Sequence, residues 1–173
     1  MHFVRHGQSH FNLAMRQAGR DPGIIDAGLT PQGFQQAALA AEKLEGQGVD
    51  HIICSPYTRA IETASVIADK LKLSLHIEPL AGERSIYSCD IGTPASALKE
   101  KWQHLDFSHI GEKWWPDNEE SHTNLTRRAM AFIKKWQGHM REKNLVLVSH
   151  YYFLNQLTGH DFSNGEVHFK KLL

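Results

Sequence analysis

An α/β domain, three layers deep around a mostly parallel sheet, is the fold class these 173 residues predict. Three observations carry it. Short apolar runs alternate with segments of helical periodicity along the chain, the pattern of repeated strand–helix–strand units with right-handed crossovers. Leu145 to Ser149 (LVLVS) is continuously apolar, as in a parallel strand buried on both faces. Polar residues also stand just past three separate strands: Arg5 and His6, Arg59, and His150. Ligands of such sheets bind beyond the strands' carboxyl ends.

In chain order, Phe3-Val4 forms an opening strand that ends at Arg5-His6 and is broken by Gly7. Ser9 is placed to cap a helix carrying Ala14, Met15 and Ala18. Gly19 to Gly28 reads as a loop with DPG and DAG turns. Thr30 and Pro31 suit the cap and first position of a helix whose inner face is Phe34, Ala37, Ala38, Ala41 and Leu44, with Gly46 at its end. His51 to Cys54 is a buried strand, and Ser55-Pro56 repeats the cap-and-proline start, placing Arg59 in the first turn of a helix. Helical side chains lean toward the N-terminus, so Arg59 is expected to point back at the strand end.

A further strand is expected at Ser74 to Ile77. Regularity then fades over 79–120, with a single helix near Ser96 to Trp102. A long irregular stretch of this kind serves as a cover over a site or as a structural excursion. Trp102, Trp114 and Trp115 fit either reading. Leu125, Ala129, Phe132, Ile133, Trp136 and Met140 mark a long amphipathic helix. After His150 come an apolar helix to Gly159 and a last strand at Glu166 to Phe169. No linker or repeat divides the chain, so 1–173 is expected to be a single domain with 79–120 as the cover segment.

Composition narrows function. Nineteen basic and nineteen acidic residues cancel, so no global field recruits nucleic acid or an anionic membrane. No apolar run approaches the roughly 20 residues of a membrane span. Cys54 and Cys89 make no disulfide framework, no targeting peptide fits ahead of Arg5, and a cytoplasmic setting is the expectation. Twelve histidines raise the question of a metal. Yet His2 and His6, four apart in a strand, would sit about 13 Å apart, and neither HExxH nor a zinc-spaced cysteine pair occurs. No metal and no cofactor are expected.

The residues at the sheet edge point to phosphate chemistry. Two guanidiniums, Arg5 and Arg59, match the oxygens of a phosphate dianion. One histidine can attack as neutral imidazole if its other nitrogen is fixed by a hydrogen bond, and a second, if protonated, adds charge at the transferring group. The leaving alcohol needs a proton, and Glu83 is the best-placed acid, with Glu78, Asp90 and Glu120 as fallbacks.

VRHGQSHFN (Val4 to Asn12), DAGLTPQGFQQA, SPYTRAIETA, LAGER and LVLVSH, in this order and spacing, resemble the histidine phosphatase superfamily, in its phosphoglycerate mutase-like branch. The resemblance spans nearly the whole chain. It implies that His6 becomes phosphorylated, and that Arg5, Arg59 and His150 complete the phosphate pocket with Asn12 and Ser9. Glu83 would be the acid and then the base that activates water, with no metal involved. Gly7 would offer its carbonyl to the far nitrogen of His6. Two departures stand out. Tyr151 replaces the glycine common after the second histidine, and ERSIYSCDIGTP replaces the usual acidic, glycine-rich continuation after Glu83. Arg84 is either a contact for a substrate anion or a surface residue.

The expected activity is hydrolysis of a small phosphomonoester through phosphohistidine. A mutase, a phosphatase of protein phosphohistidine and a non-catalytic phosphate-binding module are the alternatives. The expected partner is a small phosphorylated substrate, and oligomeric state is not legible.

Overall fold

The structure is a computed structural model and describes residues 1–172. Five strands form one sheet: β1 (His2–Arg5), β2 (His51–Cys54), β3 (Leu75–Ile77), β4 (Leu145–Ser149) and β5 (Val167–Phe169). Their order is β3-β2-β4-β1-β5. The first four run parallel, and β5 pairs antiparallel with β1. Six α-helices accompany them among the described residues: α1 (His10–Ala18), α2 (Pro31–Leu44), α3 (Thr58–Leu71), α4 (Ala95–Lys101), α5 (His122–Glu142) and α6 (Tyr151–Thr158). No helix among the described residues is long and apolar enough to cross a membrane.

Side-chain alternation in the central strands sorts the helices into two layers. Val146 and Val148 of β4 join Val4, Ile52 and Cys54 on one face, where Ala40, Ala41 and Leu44 of α2 and Ile61, Ala64 and Ile67 of α3 pack. Leu145 and Leu147 join Phe3 and Ile53 on the other, against Leu125, Phe132 and Trp136 of α5 and Phe153 and Leu154 of α6. Both faces of β4 are covered, which is why its sequence is apolar from Leu145 to Val148. The expected three-layer α/β architecture with a mostly parallel sheet is the observed one.

The glycines of the first two motifs meet each other. A Cβ on Gly7 would lie 2.3 Å from the Gly33 carbonyl oxygen, and one on Gly33 would lie 2.1 Å from that of Gln8. The strand-to-helix turn at Gly7 and the first turn of α2 thus pack backbone against backbone, which only glycine permits. Thr63 of α3 adds a tether: its hydroxyl accepts from Gly7 N at 3.0 Å.

The start of α3 differs from the sequence reading. The helix begins at Thr58, and its N-cap, Tyr57, makes no side-chain cap bond. Asp26 caps the helix from a distant loop, accepting from Thr58 N (2.9 Å) and Thr58 Oγ1 (2.8 Å). A carboxylate arriving from a distant loop leaves no local pattern, so the nearer Ser55-Pro56 looked like the cap. The 79–120 stretch holds the helix foreseen near Ser96 and also two 3-10 turns, Pro79–Ala81 and Ser88–Asp90.

Candidate active site

The carboxyl ends of β1 and β4 are adjacent in the sheet, with Arg5 opposite Ser149 in register. The next residue of each strand is a histidine, so His6 and His150 meet, their ring centroids 5.1 Å apart. Gly7 turns its carbonyl back to accept from His6 Nδ1 at 2.7 Å. That bond places the proton on Nδ1 and leaves Nε2 with its lone pair. Burial, reinforced by the charges of Arg59 and Arg5, holds His6 well below the ordinary imidazole pKa. The ring is neutral at pH 7, the state a nucleophile requires.

Both expected arginines are here. Arg59 is buried, with Nη1 on the Cys89 carbonyl (2.8 Å) and Nη2 on Asp90 (3.1 Å). Burial works against its charge, but the Cys89 and Asp90 neighbours outweigh this and raise its pKa. Arg5 donates from Nη1 to the Phe162 carbonyl (2.7 Å) and lies 5.2 Å from the Tyr151 ring centroid. Arg5 Nε and His150 Nδ1 are both buried and have no hydrogen-bond partner in the protein. Buried polar nitrogens of this kind are costly to leave unpaired, and the Arg5 Nε–H is a donor that an oxyanion beside His6 would satisfy.

His150 meets Ser55 through Nε2 at 2.8 Å. Burial first, then the charges of Arg59 and His6, hold its pKa well below the ordinary value, so the ring starts neutral. A dianion held beside the ring would act in the opposite direction and favour its protonated form.

Glu83 lines the same cavity, which measures about 350 Å³ and is also lined by Arg5, His6, Asn12 and Arg59. Its carboxylate accepts from Arg84 N (2.8 Å), Tyr152 N (3.1 Å) and Phe153 N (3.3 Å). It therefore caps α6, whose own N-cap residue, His150, makes no cap bond. Those donors favour the charged form, but burial above all, with the negative charge of Asp90, pushes the pKa up to about 7. A carboxyl balanced there can give a proton in one step and take one in the next. Glu83 also borders a second cavity of about 280 Å³.

The remaining candidates divide. Asn12 lines the cavity, its Oδ1 accepting from Ser9 N (3.1 Å) and Asn164 Nδ2 (3.2 Å). Ser9 does not line it: fully buried, it accepts from Asn12 N at 3.2 Å as the N-cap of α1. The structure thus places Ser9 at the cap of α1, one turn before Asn12, and outside the lining of the cavity.

Of the fallback acids, Glu78 is held by Lys135 (2.7 Å) and Trp136 (2.9 Å), and Glu120 by Arg128 (2.5 Å), both away from His6. Asp90 lines the cavity as the partner of Arg59. Arg84 is partly buried, donates to the Glu120 carbonyl at 2.8 Å and approaches Glu119 at 3.8 Å, and it does not line this cavity.

Trp102 is buried in the core. Trp114 and Trp115 line the second cavity, with Trp114 Nε1 on the Thr93 carbonyl at 2.8 Å.

Sequence reasoning missed three contributors: Ser55 beneath His150, Asn164 (which donates to the His6 carbonyl at 3.2 Å) and Asp90's grip on Arg59. Of these Ser55 and Asp90 carried a signal, Ser55 as the first residue of the SPYTRAIETA motif and Asp90 as the first residue of the unusual DIGTP stretch. Among the described residues, no group of three or more His, Cys, Asp or Glu side chains is placed to hold a metal ion.

The model of the histidine phosphatase superfamily (branch 1) matches residues 1–172. The chain belongs to that superfamily. A curated relative, "Probable phosphoglycerate mutase GpmB" of Yersinia pestis (strain Pestoides F), is 31% identical over 153 residues, covering 87% of this chain and 68% of the relative. Among solved structures, a mycobacterial glucosyl-3-phosphoglycerate phosphatase in complex with VO3 superposes with a TM-score of 0.68 at 20% identity, covering 96% of this chain and 88% of that one. A mutant phosphoserine phosphatase of Entamoeba histolytica, in complex with phosphoserine, gives 0.64 at 20% identity, covering 96% and 87%. At those identities the two structures show that the histidine phosphatase fold is shared.

Proposed function

We propose that this chain is a phosphatase that hydrolyses a phosphomonoester of a small molecule through phosphohistidine at His6, with no metal needed. The observation that carries it is the state of His6: a neutral ring, with its tautomer set by the Gly7 carbonyl, in the same cavity as two guanidiniums and a carboxyl of pKa about 7. The lone pair of His6 Nε2 forms a bond to phosphorus as the ester P–O bond breaks, and Glu83 gives its proton to the departing alkoxide. Glu83 then takes a proton from water. The hydroxide attacks phosphorus, the N–P bond breaks, and inorganic phosphate leaves. Arg5, Arg59 and His150 hold the equatorial oxygens throughout, so side chains supply the charge stabilisation this reaction mainly requires.

The curated relative's name favours a second reading, phosphoryl transfer of the mutase kind. The test is brief exposure to a labelled phosphomonoester, followed by quenching and product analysis. Hydrolysis through phosphohistidine requires label on His6 that is acid-labile and base-stable, with phosphate released. Absence of label, or equal label in His6→Ala, rejects it. Transfer to an acceptor much faster than phosphate release would select the mutase.

A further inference from the structure

We infer that the alcohol portion of the substrate is neutral and apolar or aromatic, so that the substrate class is an arylalkyl-type phosphomonoester with no second anionic group. This rests on the phosphatase reading above and deepens it. The first support is a count of charge. Arg5 and Arg59 are the arginine or lysine side chains lining the His6 cavity among the described residues. Both face the place of the phosphoryl group, and Arg59 already shares its charge with Asp90 at 3.1 Å. A carboxylate or second phosphate on the substrate would find no further cation there. It would instead meet Asp90 and Glu83, two carboxyls of the same wall. Outside the lining, Arg84 lies 5.7 Å from the Tyr152 ring centroid but is tied to the Glu120 carbonyl (2.8 Å) and approaches Glu119 (3.8 Å). Bringing an unpaired anion into such a site costs more than its contacts return.

The second support is the rest of the lining. Five of its residues are aromatic or thioether side chains: Phe11 and Met15 from α1, Tyr87 at the N-cap of the second 3-10 turn, and Tyr151 and Tyr152 from α6. Phe11 and Tyr87 pair at 5.8 Å between ring centroids, and Tyr151 and Tyr152 at 5.2 Å. The Tyr151 hydroxyl donates to Asp161 at 2.7 Å, so that residue presents its ring rather than a polar group. Two aromatic pairs from separate elements suit a flat apolar body, and Met15 adds an adaptable surface. The Tyr151 that replaces a glycine thus has a part in this wall.

The experiment compares three esters of primary alcohols, all needing a protonated leaving group: 2-phenylethyl phosphate, glycerol 3-phosphate and 3-phosphoglycerate. The expected kcat/KM for 2-phenylethyl phosphate exceeds both others by about tenfold or more, the discrimination a hydrophobic pocket typically gives. Tyr87→Ala and, independently, Tyr152→Ala should shrink that ratio severalfold, and Met15→Lys should lower KM for 3-phosphoglycerate by supplying the missing cation. Glycerol 3-phosphate or 3-phosphoglycerate turned over as well as the phenylethyl ester, with His6 labelled, overturns this inference and leaves the phosphatase reading standing. Equal losses on all three esters in both tyrosine variants also overturn it. No turnover of any ester with no label on His6 overturns both.

Discussion

Two histidine pairs in this molecule look alike in isolation. His6 and His150 sit at the carboxyl ends of β1 and β4, their rings 5.1 Å apart. His76 of β3 and His109 stack at 5.3 Å along the sheet's outer edge. In each pair one ring meets a backbone carbonyl at 2.7 Å, Gly7 for His6 and Ile77 for His109. In each pair the other ring keeps a buried nitrogen without a partner. Burial lowers the pKa of His76 as it lowers that of His6 and His150.

The surroundings separate them. His6 of the first pair shares one cavity with two guanidiniums and a carboxyl whose pKa burial raises to about 7. Beside the second, the Glu78 carboxylate is already bound by Lys135 and Trp136. A neutral imidazole becomes a phosphoryl acceptor only where cations hold the group being transferred and an acid releases the alcohol. Proximity of histidines is common; that company is not.

The sharpest way to break the comparison is to remove one ring from each pair. His6→Ala should lower kcat/KM by about a thousandfold or more, as loss of a nucleophile does, and abolish the acid-labile label. His76→Ala should leave both within about twofold, as a substitution away from the reacting groups does. A comparable loss in both variants would mean that the two pairs are not functionally distinct.

Glu83→Gln comes next, with an expected loss of about a hundredfold on alkyl esters and far less on nitrophenyl phosphate, whose leaving group departs unprotonated. Equal losses on the two would name another acid. The same variant has a stability signature. Unfolded, the carboxyl ionises near 4.5; folded, near 7. The fold favours the protonated form, so its contribution is full below about 4.5 and declines as pH rises to 7. Glu83→Gln should therefore gain on wild type as pH rises, by on the order of 3 kcal/mol above about pH 7, seen in denaturant midpoints at about pH 5 and about pH 8. A gap that widens toward low pH would refute this.

Asp90→Asn tests whether Asp90 positions Arg59. Both side chains are buried, and removing one charge of such a pair costs roughly 3 kcal/mol. KM should rise by about tenfold. Because the Asp90 charge helps raise Glu83, the alkaline limb of the pH profile, where the acid loses its proton, should move to lower pH. Lost stability with an unmoved profile would make Asp90 purely structural. Smallest is Ser9→Ala, which removes the cap of α1 and should cost about 1 kcal/mol with kcat within about threefold. A drop in kcat as large as that of Glu83→Gln would return Ser9 to the phosphate contacts.

How far the sequence reached can be argued residue by residue. Gly7, Gly33, Thr30, Pro31 and the LVLVS run were legible because each reflects a local demand: close backbone approach, a helix start, a strand covered on both faces. The ordering of strands and helices followed from periodicity, and with it the convergence of Arg5, His6, Arg59 and His150. Their chemistry beyond that was a matter of contact. Ser9 and Asn12 are both polar residues at a helix start, and only the fold shows one oxygen closing the cap while the other residue lines the cavity. Glu83 is one acid among several in the sequence. Burial, the α6 amides and Asp90 are what bring its pKa to about 7. Local pattern fixes where elements start and which face they bury; desolvation and pairing between segments far apart in the chain fix the charge state of a group, and those exist only once the chain has folded.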